Sequence, residues 1–182
     1  GSEGLLEGDS HTDRMNQNQL LLLNAQSIQG PPLEVSSEWL AVGHIDEIFI
    51  FLKSTQTSRS WAVAIASPNL ARRVLQQAYS AGHGDTAIFE GRGIHETTVE
   101  ALLFDPYLMS FNQLAQTRID SIREVLKSNL GLSDDDFVEV PVLYENYEGG
   151  GKAVALNPGV QNLVVANSVL FVPDPEGPIV NG

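Results

Sequence analysis

Two short runs of β-branched and aromatic residues, Ile48-Phe-Ile-Phe-Leu52 and Trp61-Ala-Val-Ala-Ile65, are joined by a polar Ser/Thr stretch, and the second runs into Ser67-Pro68. Such runs suit strands, and a polar turn between them predicts a hairpin. Ser67 suits a helix N-cap, and Pro68 the first helical position, where its missing N–H costs nothing. A helix is therefore expected at once, with Leu70, Val74, Leu75 and Ala78 at helical spacing and Gly82 as its stop. Strand, strand and helix in direct succession point to a mixed α/β fold.

The rest of the chain extends this pattern. Thr86 to Phe89 reads as a strand, and Phe111 to Leu130 as the longest helix, with Leu114, Ile119, Ile122, Val125, Leu126 and Leu130 on one stripe and Gly131 as terminator. Phe137 to Tyr144, Ala153 to Leu156, Leu163 to Ala166 and Val169 to Val172 read as short strands between Gly- and Asn-rich turns. Strand and helix do not alternate one for one, so a doubly wound parallel sheet fits poorly, and ββαβ units fit better. The expected class is α/β (α+β). Ahead of these elements, residues 1–32 read as a polar leader, then a short helix over Leu20 to Gln29 ended by Gly30-Pro31-Pro32. Gly1-Ser2 suits a tag scar or the edge of an excised piece. Leu33 to Val42 reads as extended, with Gly43 as a break.

Composition narrows the function. The chain of 182 residues has a formal charge of −13 and no cysteine. Such a surface repels phosphate backbones and so argues against nucleic acid; it favours cationic partners, or it simply keeps the chain dissolved. Without cysteine there is no disulfide, no thiolate metal site and no thiol nucleophile. No apolar run approaches the roughly 20 residues of a membrane helix, and Leu20 to Leu23 is too short for a signal core.

His-x-Asp occurs three times, as His11-Thr-Asp13, His44-Ile-Asp46 and His83-Gly-Asp85. In extended backbone, residues two apart share a side, so each pair could aim an imidazole and a carboxylate at one centre. His11 lies in the polar leader and His83 between two glycines after a helix, where a linker and a turn explain them. His44 and Asp46 stand between Trp39-Leu-Ala-Val-Gly43 and an apolar strand, so this pair is either a site or a structural ion pair at the core's edge. A metal hydrolase assembled from several such pairs is a further reading. Gly149-Gly-Gly151-Lys152 suits a hairpin tip better than an anion cradle, and no phosphate loop, dinucleotide fingerprint or serine-nucleophile motif is present.

Trp39-Leu-Ala-Val-Gly-His-Ile-Asp-Glu47, Ala66-Ser-Pro68, Gly82 to Gly91 with its Glu90, Arg123 to Leu132 and Pro173 to Gly182 together resemble the protein-arginine deiminases, in order and spacing, over most of residues 33–182. The resemblance implies that 33–182 is the central part of a calcium-dependent catalytic domain, a partial pentein-type α/β-propeller of ββαβ units. It implies hydrolysis of protein arginine to citrulline with release of ammonia, in the cytoplasm or nucleus. By it, His44 is the catalytic imidazole, Asp46 is a catalytic carboxylate that also holds the substrate guanidinium, and Val42 and Gly43 border the substrate side chain. The chemistry suits these types: a guanidinium presents paired N–H donors to a carboxylate, and an imidazole can protonate departing ammonia and then activate water. The family's cysteine, its other aspartate and its calcium loops correspond to nothing within these residues, so this chain alone is expected to be inactive. A non-catalytic acidic pentein-like module that binds arginine-rich or other cationic partners is the competing reading.

Overall fold

The computed structural model describes residues 15–28, 30–91, 93, 96–159, 162–167 and 169–180. Gly1-Ser2, His11, Asp13 and the expected helix end at Gln29 lie outside these residues. The hairpin forms as expected: β1 (Phe49–Lys53) pairs antiparallel with β2 (Trp61–Ser67) in a register that sets Phe49 opposite Ile65 and Lys53 opposite Trp61. On its other side β2 pairs in parallel with β5 (Phe137–Pro141), Val63 opposite Phe137. β2 is thus the central strand, which is why Ala62 to Ser67 are all buried and why its apolar run is continuous rather than alternating. Parallel pairing demands a crossover, and the chain between β2 and β5 supplies it with helices. The mixed α/β expectation holds, with one three-stranded sheet, three two-stranded ones and no closed barrel among the described residues.

The helices divide into foreseen and overlooked. α1 (Gln17–Ala25) begins earlier than Leu20 because the Asn16 side chain accepts from the Asn18 N–H, and none of its residues is buried. α2 (Pro68–Ser80) starts as expected: the Ser67 hydroxyl accepts from the Leu70 N–H at 3.1 Å. β3 (Ala87–Ile88) pairs with an unforeseen β4 (Thr97–Thr98), which leads into an unforeseen α3 (Val99–Leu103). α4 (Pro106–Leu130) starts well before Phe111, because Asp105 caps the Tyr107 and Leu108 N–H groups and Pro106 takes the first helical position. That is the Ser67-Pro68 signal in another form.

The buried stripe of α4 also differs from expectation. It is Asn112, Ala115, Gln116, Ile119, Ile122 and Leu126, whereas Leu114 is 65% exposed and Leu130 40%. Two amides hold core positions because each satisfies distant backbone: Gln116 Oε1 accepts from the Asn69 N–H, and Asn112 bonds both backbone groups of Tyr144. Gly131 ends the helix at φ +64°, as expected.

Most of the remaining strands are shorter than the sequence suggested or shifted along it. Leu33 to Val42 forms no strand; Leu40 makes one isolated parallel bridge to Ala153. Phe137 to Tyr144 splits into β5 and β6 (Tyr144–Tyr147), since Pro141 has no N–H to continue a ladder. β6 pairs with β7 (Lys152–Ala155) about the glycine tip, and β8 (Val164–Ala166) with β9 (Val169–Phe171), whose residues are all exposed. The main core lies between the central sheet, α4 and β6; a second cluster joins Ala71 and Leu75 of α2 to Ile88, Val99 and Leu103.

Candidate active site

The segment from Trp39 to Ile48 is bent twice. Gly43 takes φ +80°, which a side chain would strain although a Cβ there would meet nothing closer than 3.6 Å. Residues Ile45–Glu47 then form one 3₁₀ turn with His44 as its N-cap, and Ile48 is fully buried at the turn's exit. The extended backbone expected for the His-x-Asp pair is therefore absent. In a 3₁₀ turn, residues three apart eclipse, so His44 stands over Glu47, with Nδ1 3.8 Å from Oε1.

The expected site residues fall on two open clefts. His44 and Asp46 line one of about 810 Å³ with Phe49, Ile50 and Phe51, while Val42 lines another of about 820 Å³ with Glu34, Glu38 and Lys152. Gly43 and Ile45 border both. The first cleft offers a carboxylate and an imidazole over an apolar floor. His44 is 65% exposed, so it is open to a ligand. A third cleft, between α2, α3 and α4, is lined by Arg72, Tyr79 and Phe104 and by no carboxylate or histidine.

Behind the turn lies a buried support that the sequence does not announce. The Tyr144 hydroxyl donates to the Glu47 carbonyl at 2.8 Å. That phenol is fully buried, and burial first, then the Glu47 charge, pushes its ionisation up, which keeps it a donor. Its ring meets the edge of Trp39 at 5.3 Å, and Asn112 of α4 grips its backbone, donating to the carbonyl and accepting from the N–H, each at 2.8 Å. Glu47 itself is raised above the ordinary carboxyl value, mainly by burial; the His44 imidazole opposes this and the Asp46 carboxylate adds to it. The Lys152 ammonium donates to the Glu38 carbonyl, tying the β6–β7 hairpin to the same segment. Only Asn112 leaves a cue in the sequence, as a polar residue at a helical core spacing.

His83 sits in the turn after α2, its N–H donating to the Ala78 carbonyl and its own carbonyl accepting from Thr86, in keeping with a turn role. Among the described residues, no three His, Asp or Glu side chains converge on a point where a metal could sit.

Residues 5–182 match the family model for protein-arginine deiminase (PAD). The chain is 37% identical over 164 residues to protein-arginine deiminase type-3 of Rattus norvegicus, covering 88% of this chain and 24% of that protein. It is 33% identical over 180 residues to the type-4 protein of the same species (96% and 27%), and 36% identical over 163 residues to the type-1 protein of Homo sapiens (88% and 24%). The chain thus spans about a quarter of the length of these relatives.

Proposed function

Because the chain belongs to the protein-arginine deiminase family, we propose that it forms the part of a deiminase catalytic domain that carries the imidazole and one guanidinium-holding carboxylate. The observation that carries this reading is that His44 and Asp46, within the segment that resembles the family, line one open cleft. The relatives are hydrolases of arginine C–N bonds, and this does not favour the competing non-catalytic module.

Asp46 meets the guanidinium of a protein or peptide arginine through paired N–H···O bonds, which fix its plane and keep its charge. The apolar floor of Phe49 and Phe51 suits the arginine methylenes. A thiolate attacks the central carbon; it must come from outside these residues, since the chain holds no cysteine. His44 gives a proton to the nitrogen that leaves as ammonia, then takes one from the water that releases citrulline. Gly43, which lines the same cleft, borders the substrate stem; Val42 faces the neighbouring cleft instead. The order β1, β2, helices, β5 supports a ββαβ unit and hence a partial pentein-type propeller.

Calcium, which the family resemblance implies, finds no group of three or more His, Asp or Glu side chains among the described residues that could hold it. In the full-length protein carrying this segment, His44→Ala and Asp46→Ala should each lower citrulline formation from a peptidyl arginine by at least about 10²-fold with folding unchanged. Near-normal turnover in both variants would remove the assignment.

A further inference from the structure

We propose that Glu47 is the positioning residue for His44, holding the imidazole through Nδ1, and that Tyr144 and Asn112 anchor Glu47 from behind. The proposal rests on the deiminase reading of His44 and assigns a role that Asp46 cannot fill. A carboxylate that clamps a guanidinium has its oxygens occupied by substrate N–H groups, so another acceptor has to orient the ring. Glu47 Oε1 stands 3.8 Å from Nδ1, an ion-pair separation longer than a hydrogen bond, which a small turn of the exposed ring closes; with Nδ1 then engaged, Nε2 is the nitrogen left for the substrate.

The two partners differ in freedom in the way such a role requires. The His44 side chain is 65% exposed, and an exposed histidine samples several rotamers; that of Glu47 is only 21% exposed. A single 3₁₀ turn of three residues has little stability of its own. Its rigidity is borrowed: α4 holds Asn112, Asn112 grips both backbone groups of Tyr144, and the Tyr144 hydroxyl holds the Glu47 carbonyl. This path joins residues of three separate elements through hydrogen bonds of 2.8 Å and ends at the turn that bears His44 and Asp46. Among the described residues, Glu47 feels the charges of His44 and of Asp46 on the same turn, and the Tyr144 phenol feels that of Glu47. Asp46 adds charge to the cleft, and Tyr144 stays neutral.

A carboxylate at Nδ1 favours the Nδ1–H tautomer, whereas free histidine prefers Nε2–H. Ring ¹⁵N shifts of His44, recorded with the ring neutral, read the tautomer directly. The wild-type chain should show the Nδ1–H form, Glu47→Ala should revert it to Nε2–H, and Glu47→Gln, which keeps an acceptor oxygen, should retain Nδ1–H. Tyr144→Phe, which keeps the ring against Trp39 and removes only the hydroxyl, should reduce the Nδ1–H fraction. In the full-length protein, Glu47→Ala should lower kcat at least tenfold with KM changed less than twofold, and Glu47→Gln should recover most of that loss. A wild-type His44 in the Nε2–H form, or a tautomer and kcat indifferent to Glu47→Ala, would overturn the proposal. Absence of citrulline formation by the full-length wild type would instead overturn the deiminase reading, and the tautomer would still report on Glu47.

Discussion

Asn112→Ala is the most informative single test of how the turn is held. The Asn112 side chain is buried, 4% exposed, and serves three backbone groups: the Leu108 carbonyl at 2.9 Å, and the carbonyl and N–H of Tyr144 at 2.8 Å each. The Leu108 carbonyl sits within α4, where the helix ladder already serves it, so its loss matters little. The two Tyr144 groups depend on Asn112, and leaving a buried donor or acceptor unmade costs about 1–3 kcal/mol each. Their sum, about 2–6 kcal/mol, is a large fraction of the roughly 5–15 kcal/mol by which a domain is stable. Urea unfolding should therefore show a lower midpoint at unchanged slope. Tryptophan emission is a suitable probe, because Trp39 packs on the Tyr144 ring. A loss under about 0.5 kcal/mol, the scale of an ordinary surface change, would refute the argument that Asn112 holds β6 and, through it, the turn.

Three further outcomes follow from local geometry. Gly131→Ala should cost about 1 kcal/mol by the same unfolding measurement: the position has φ +64°, and the nearest atom to an added Cβ is the Arg59 guanidinium at 3.9 Å, so backbone strain and not crowding sets the cost. Asp136 is held below the ordinary carboxyl value, first by the Ser133 N–H that it accepts at 2.9 Å and further by the Ser133 hydroxyl and Arg59. Its contribution is therefore present above the unfolded value of about 3.9 and lost as pH falls through the folded one, so the stability gap between wild type and Asp136→Asn should close on acidification; a gap constant with pH refutes this. Glu47 has the opposite sign: its folded value is raised from 4.5, so its ionisation weakens the fold as pH rises through that value. Thermal unfolding of Glu47→Gln should then gain on wild type as pH rises above the ordinary carboxyl value of 4.5, the stability cost of keeping a carboxylate where the imidazole needs it.

The elements legible from sequence are those whose cause is local. β-branched runs, the Ser67-Pro68 cap and Gly131 each act within a few residues, so β1, β2, α2 and the end of α4 fall where periodicity and capping place them. The start of α4 was legible too, in Asp105-Pro106, but a stripe sought among apolar residues alone begins too late and passes over Asn112 and Gln116. β3 and β4 are two residues long and owe their existence to each other, not to propensity.

The amino-acid sequence by itself determined the α/β class, the cysteine-free acidic composition and, through Trp39 to Glu47 and the later matching stretches in their order and spacing, the family to which the chain belongs. Tertiary structure decided the shape of the candidate site. Whether His44 meets Asp46 or Glu47 depends on a 3₁₀ turn instead of a strand, and that turn is held by a hydroxyl 97 positions away in the chain. Tyr144 is placed in turn by an amide 32 positions from it. No pattern within a short window can report such contacts, because their strength comes from burying donors and acceptors that only packing brings together.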